Sequence, residues 1–103
     1  MIFVETSIFT RLLNGLLSDD EYRELQSALI RQPEMGVVIQ SSGGLRKVSW
    51  ALPGRGKSGG VRVIYYLVRQ EKILMVYVYQ KGKQDDLTAE QLKRLSRIVE
   101  EER

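Results

Sequence analysis

The sequence of 103 residues contains no cysteine and no histidine. Without cysteine, the chain has no disulfide, no thiolate nucleophile and no cysteine-based zinc site. Without histidine, it lacks the commonest metal ligand and the only side chain that titrates near neutral pH without perturbation. We therefore expect neither a bound metal nor a cofactor, and any acid–base chemistry must use other side chains.

Long apolar runs are also absent. No run approaches the roughly 20 residues that a transmembrane helix needs, and residues 1–6 carry an early Glu5 without the basic start of a signal peptide. A hydrophobic fraction of 43% with 28% charged residues is typical of folded globular proteins. These features predict a single domain over residues 1–103 that stays in the cytoplasm and has no membrane partner.

Charge is distributed unevenly along the chain. Between Ser41 and Lys83, nine lysines and arginines stand against one acid, Glu71, which gives this segment a net charge of +8. Since the whole chain carries +3, the remaining residues together carry −5. A basic segment on an acidic frame is typical of proteins that bind a phosphate backbone. Nucleic acid is therefore the expected partner.

The N-terminal part of the chain predicts one short strand followed by two helices. Residues 2–4 are apolar, and from Ser7 onward apolar residues recur at helical spacing. Ser18 and Glu21 have the spacing of a capping box, in which each residue satisfies a backbone N–H of the other. The second helix should therefore cover residues 19–31.

The C-terminal part predicts three strands and one helix. Residues 45–52, 61–69 and 73–80 are rich in β-branched and aromatic side chains. The last of these runs is almost continuously apolar, which predicts a central strand covered on both faces of the sheet. Thr88 and Gln91 form a second capping box that opens the final helix. The predicted fold class is α+β, with the element order β-α-α-β-β-β-α.

A glycine-rich segment at residues 53–60 allows three interpretations. Lys57 and Ser58 match the end of a phosphate-binding P-loop, but such a loop leads into a helix, whereas here two glycines and a strand follow. The second interpretation is a long hairpin loop. The third is a mobile basic loop that closes over RNA through Arg55 and Lys57.

Five cations stand at the ends of predicted strands. Arg46, Lys47 and Arg62 begin neighbouring strands, and Lys81 and Lys83 follow the last strand. We expect Arg46, Lys47, Arg62 and Lys83 to form one solvent-facing cationic patch. Aromatic side chains beside such cations suit single-stranded nucleic acid, because bases stack on rings while phosphates pair with the charges.

Four tyrosines lie on the same strands, at positions 65, 66, 77 and 79. Each can either contact a ligand or occupy an ordinary place in the core. Lysine and tyrosine have ordinary pKa values of about 10, so neither is a good base at neutral pH. A nuclease built from these groups must position the phosphate, stabilise transition-state charge and use the RNA 2′-hydroxyl as its nucleophile.

Asp85 and Asp86 adjoin the basic residues and allow two interpretations. They could bind a metal, or they could precede the final helix and interact favourably with its positive end.

Three blocks of sequence resemble the HigB-like branch of the RelE/ParE superfamily of type II toxin–antitoxin toxins. They are Gly-Gly-Leu-Arg-Lys at residues 43–47, Gly-Gly-Val-Arg-Val-Ile-Tyr-Tyr at 59–66, and Tyr-Gln-Lys-Gly-Lys at 79–83. The resemblance covers nearly the whole chain. It implies a small antiparallel sheet packed against two N-terminal helices and a C-terminal helix.

The resemblance also implies an activity. Toxins of this kind are ribosome-dependent endoribonucleases that cut messenger RNA in the decoding site without a metal, and a cognate antitoxin silences them. By this likeness the toxin alone is expected to be a monomer. The residues that match the family's basic positions, and are therefore expected to be catalytic, are Lys47, Arg62 and Lys83. The residues expected to bind RNA are Arg46, Arg55, Lys57, Tyr66, Tyr79 and Lys81.

The sequence departs from the family pattern near its end. Gln84 stands where relatives often carry arginine, and no tyrosine follows Lys83 to match their late catalytic tyrosine. Tyr66 and Tyr79 are the substitutes by position. Two alternatives to the nuclease stay open: a ParE-like inhibitor of DNA gyrase, since that branch belongs to the same superfamily, and a non-catalytic RNA-binding module.

Overall fold

The computed structural model describes residues 1–54, 59–69 and 71–102, and within them it has three helices and five strands. In chain order these are β1 (Ile2–Glu5), α1 (Ser7–Leu13), α2 (Asp19–Arg31), β2 (Val37–Val38), β3 (Leu45–Trp50), β4 (Val61–Arg69), β5 (Lys72–Gln80) and α3 (Ala89–Glu102). The predicted α+β class is confirmed, and the predicted order holds with the short strand β2 added. No helix in the described part of the chain is long and apolar enough to cross a membrane.

Both predicted capping boxes are present. The Ser18 hydroxyl accepts from the Glu21 N–H at 3.1 Å, and the Glu21 carboxylate accepts from the Ser18 N–H at 2.8 Å. Thr88 and Gln91 make the same reciprocal pair at 3.1 and 3.0 Å. These caps satisfy backbone donors that the first turn of a helix leaves unpaired, which is why α2 and α3 begin where the sequence predicts.

Helix α1 is shorter than its apolar pattern. It ends at Leu13, and the Gly15 N–H turns back to the Leu12 carbonyl at 3.2 Å. Leu16 and Leu17 nevertheless pack against the core from the segment that follows. The period of apolar residues therefore continues beyond the helix that it predicts.

The strands form one sheet in the order β1-β5-β4-β3-β2. Strands β2 to β5 pair antiparallel, as the family resemblance implies, whereas β1 pairs parallel to β5 and makes the sheet mixed. Strand β5 thus lies between two strands, and its apolar run is covered on both faces. The helices α1 and α2 cover one face through a cluster that includes Phe9 and Leu29, and α3 covers the other through Leu95 and Val99.

A β-bulge in β5 decides which side chains face α3. The register pairs Tyr65 with Met75 and Ile64 with Tyr77, so that Val76 is an extra residue without its own partner. As a result Tyr77 and Tyr79 lie on the same face as Ile64. This is the face that α3 covers. The candidate site lies on the same face, at the end of the sheet where β4 begins.

Candidate functional site

The candidate site lies where β3, β4 and β5 run side by side on the α3 face. The register pairs Lys47 with Ile64, and Arg62 with Tyr79. Since Arg62 and Ile64 are two residues apart on β4, Lys47, Arg62 and Tyr79 all project from one face of the sheet. With Asp86, which follows in the loop before α3, we call these residues the Arg62 cluster.

Arg62 and Tyr79 form the centre of the cluster. Arg62 is half-buried, and Tyr79 is only 5% exposed. The Arg62 Nε and the Tyr79 hydroxyl are both buried, and neither makes a hydrogen bond of good geometry with any described residue, although the two side chains lie close enough for Arg62 to act on Tyr79. A buried polar atom without a partner typically costs about 1–3 kcal/mol. Two such atoms on one cross-strand pair are uncommon in an ordinary core, and they mark this pair as a candidate for function.

The protonation state of Tyr79 follows from its surroundings. Burial raises the pKa of Tyr79 above its ordinary value, the positive charge of Arg62 opposes the rise, and the negative charge of Asp86 adds to it. Tyr79 is therefore protonated at neutral pH, and its hydroxyl can donate a hydrogen bond. It is a poor general base under these conditions.

Asp86 brings a carboxylate into the cluster. Its Oδ1 accepts from the Leu87 N–H at 2.9 Å and from the Lys47 ammonium at 3.3 Å. The Leu87 N–H lowers the pKa of Asp86, and the hydrogen bond and charge of Lys47 and the charge of Arg62 lower it further. Asp86 is thus ionised at neutral pH, and it forms a partly exposed ion pair with Lys47 on the α3 face.

Arg46 does not join the cluster. Its neighbour Lys47 faces α3, so alternation places Arg46 on the opposite face, where its guanidinium donates to the carbonyls of Gly36 at 2.8 Å and Glu34 at 3.3 Å. The expected single patch of four cations is therefore wrong at Arg46, because adjacent residues of a strand project to opposite faces. The role of Arg46 in RNA binding stays a prediction.

Lys81 and Lys83 follow β5 at the end of the sheet where Arg62 lies. The Lys81 N–H donates to the Gly60 carbonyl at 2.9 Å and extends the β4–β5 ladder by one step. Lys83 is exposed, and with Tyr79 it lines a groove beside β5. Arg55 and Lys57 lie outside the described residues, as does half of the segment at 53–60 on which the P-loop and mobile-loop interpretations rest.

The two tyrosines of β4 lie on opposite faces of the sheet. Tyr65 is fully buried, donates to the Pro33 carbonyl at 2.7 Å and accepts from the Gly36 N–H at 2.9 Å, so it is a core residue. Tyr66 faces α3 but lies four residues from Arg62, which is about 13 Å along a strand. The structure therefore does not bring Tyr66 into the Arg62 cluster, and its contact with RNA stays a prediction.

Residues 4–102 of the chain match the family model described as the RelE toxin of the RelE/RelB toxin–antitoxin system. The chain belongs to the RelE toxin family. The match confirms the superfamily to which the sequence blocks point, and it identifies the protein as a toxin of a toxin–antitoxin system. It does not distinguish the HigB-like branch from other members.

In this RelE-family toxin, sequence reasoning missed one residue beside the site. Arg11, in the last turn of α1, lines the same groove as Lys83 and Tyr79. No sequence signal connects it to them, because the helix and the strand are about 70 residues apart in the chain and meet only in the folded protein.

The described residues of the toxin offer a definite set of chemical groups. Arg62 presents a guanidinium with an unused donor, Tyr79 presents a protonated hydroxyl, and Lys47 presents an ammonium. All three are donors suited to a phosphate, and the guanidinium can hold two of its oxygens at once. The arrangement can therefore bind a phosphodiester and stabilise the extra negative charge that develops when it is attacked.

Proposed function

We propose that this toxin is an endoribonuclease that cleaves messenger RNA in the decoding site of the ribosome and thereby arrests translation. The observation that carries the proposal is the cross-strand pair of Arg62 and Tyr79, whose buried donor atoms lack hydrogen bonds of good geometry within the described residues. In our proposal, RNA binding turns the half-buried Arg62 side chain so that a phosphate oxygen becomes its acceptor. The usual activity of RelE-family toxins supports the same conclusion.

The proposed reaction needs no metal. The 2′-hydroxyl of the nucleotide before the cleaved bond attacks the phosphorus and loses its proton, and the 5′-oxygen of the next nucleotide leaves and gains one. The products carry a 2′,3′-cyclic phosphate and a 5′-hydroxyl. Arg62 and Lys47 stabilise the charge on the phosphate oxygens, and Tyr79 donates a hydrogen bond to one of them. We assign Lys83, which lines the groove beside β5 with Tyr79, as the third catalytic cation.

The partner of the toxin is, in our proposal, a cognate antitoxin of the RelB type, and the toxin alone is a monomer. We further infer membership of the HigB-like branch from the Gly-Gly-Leu-Arg-Lys block at residues 43–47 and the Gly-Gly-x-Arg-x-Ile-Tyr-Tyr block at 59–66. Lys81 and Tyr79 are assigned to RNA binding, with Arg46 and Tyr66 retained as predictions outside the Arg62 cluster.

The test uses purified toxin in a reconstituted translation reaction. We expect a defined message to be cut at the codon in the decoding site, as mapped by primer extension, and to stay intact when ribosomes are omitted. A message with a 2′-deoxynucleotide before the cleaved bond should bind but not be cut, because the nucleophile is missing. An intact message, combined with inhibition of DNA supercoiling by gyrase, would instead support the ParE-like alternative.

A further inference from the structure

A groove runs between α1 and the second half of β5. Strand β1 pairs with β5 only at residues 72–75, and beyond that point the α1 end of the chain flanks β5 instead. The groove has a volume of about 460 Å³, which is within the range of roughly 300–1,000 Å³ that is typical of small-molecule sites.

The groove has the chemistry of a single-stranded nucleic-acid site. Arg11 and Lys83 contribute exposed cations, and neither has an ion pair with any residue that the structure describes. Tyr77 and Tyr79 also belong to the wall of the groove, but Tyr79 is only 5% exposed and the Tyr77 hydroxyl accepts from Gln91 of α3 at 3.4 Å. No acidic side chain lies among the described residues that line the groove. Two exposed cations with no acid between them suit the phosphates of one RNA strand.

The groove adjoins the Arg62 cluster. Tyr79 belongs to both, because it lines the groove and is the cross-strand partner of Arg62. Neighbouring strands lie about 5 Å apart, so an RNA strand whose phosphate lies at Arg62 has to cross only β5 to reach the groove.

We propose that this groove is a second RNA subsite, which holds the nucleotide next to the cleaved phosphate and uses Arg11 to bind that nucleotide's own phosphate. The inference rests on the proposed function, since it assigns an RNA strand to the cluster. It adds a residue of α1 to the binding surface, which otherwise consists of strands β3 to β5 and the turn after β5.

The experiment compares Arg11→Ala and Arg11→Lys with Arg31→Ala. Arg31 is a matched control because it is the basic residue in the last turn of α2, as Arg11 is in the last turn of α1. The probe is a fluorescent single-stranded RNA with a 2′-deoxynucleotide before the cleaved bond, bound to the full-length toxin. Affinity is measured over a series of salt concentrations, and KM and kcat are measured for ribosome-bound message.

We expect Arg11→Ala to weaken RNA binding about tenfold, as for the loss of one charge-assisted contact. Its logarithmic salt dependence should become less steep by about one, because one fewer phosphate is neutralised. KM should rise more than kcat falls. Arg11→Lys should restore most of the affinity and the slope, and Arg31→Ala should behave like the wild-type protein.

RNA probes of different lengths distinguish a nucleotide-binding subsite from a structural effect of the Arg11→Ala substitution. Adding one nucleotide on the groove side should tighten binding to the wild-type toxin but not to Arg11→Ala. Equal gains for both proteins, or an unchanged salt slope in Arg11→Ala, would overturn the subsite. The subsite is equally wrong if Arg11→Ala weakens binding of the antitoxin and leaves RNA binding unchanged, because the groove is then a protein-binding surface.

Failure of the proposed function would give different results in the same assays. If the wild-type toxin leaves ribosome-bound message intact, the nuclease proposal fails whatever Arg11 does. In that case a selective loss of RNA affinity in Arg11→Ala still supports the subsite, as part of an RNA-binding module. If the wild-type toxin cuts the message and Arg11→Ala matches it in KM and salt slope, the subsite alone is wrong.

Discussion

Replacement of Arg62 by alanine should separate function from folding more cleanly than any other change in the cluster. The side chain is half-buried and pairs across the sheet with Tyr79. Among the described residues its Nε makes no hydrogen bond of good geometry, and its charge acts on Tyr79 and on the exposed Asp86. We expect these interactions to stabilise the fold only modestly, whereas the proposed reaction depends on the guanidinium.

The two magnitudes differ enough to be measured separately. Alanine loses the packing of the arginine stem, but it also removes a buried donor whose missing partner costs about 1–3 kcal/mol. We expect these effects to offset each other to within about 1 kcal/mol, which corresponds to a change in Tm of roughly 4–8 °C or less for a domain of this size. Loss of one transition-state donor should slow cleavage by about 10²–10³-fold.

The assay combines a thermal melt of the purified variant with its rate of message cleavage on ribosomes. Arg69→Ala is the matched control, because Arg69 is an exposed arginine at the other end of the same strand. Its rate and Tm should stay close to those of the wild-type toxin. An Arg62→Ala protein that melts normally and still cuts at the wild-type rate would refute the assignment of Arg62 to the reaction.

Three further outcomes are expected. Tyr65→Phe should lower the unfolding free energy by about 1–3 kcal/mol in a urea titration, because it leaves the buried Gly36 N–H without an acceptor; an unchanged midpoint would contradict this. Asp86→Asn should tighten RNA binding in an anisotropy assay, because the carboxylate no longer competes with phosphate for Lys47; weaker binding would show instead that Asp86 positions Lys47. Burial raises the pKa of Tyr65 and of Tyr79. The unfolded chain therefore releases these protons first, near pH 10, and stability should decline above that pH; a flat profile of unfolding free energy to pH 11 would exclude it.

Much of the fold could be predicted because its determinants are local. A capping box involves residues three positions apart, so Ser18 and Thr88 mark helix starts that the structure confirms. The apolar run at residues 73–80 likewise needs burial on both faces, and β5 receives it from helices on either side. The parallel pairing of β1 with β5 was not predicted, because it joins segments about 70 residues apart.

The site could be predicted only in part, for a related reason. Lys47 and Arg62 are basic residues at the starts of neighbouring predicted strands, and this pattern indicates a phosphate site. The structure brings both side chains to one face of the sheet. Arg46 has the same charge as Lys47 and adjoins it in sequence, yet it supports the loop before β2 through backbone carbonyls. Residue type alone does not separate these two roles. The face of the sheet that each side chain occupies depends on how its strand pairs with the neighbouring strands. That pairing involves distant parts of the chain.

The bulge at Val76 has the largest effect of this kind. With strict alternation along β5, Tyr77 and Tyr79 would share the face of Met75, which packs with α1 and α2. Arg62 would then have no aromatic partner on its face of the sheet. The extra residue returns both tyrosines to the α3 face, so that Tyr79 pairs with Arg62 there. One extra residue in a buried strand therefore builds the centre of the Arg62 cluster, and β-bulges commonly redirect side chains beside functional sites.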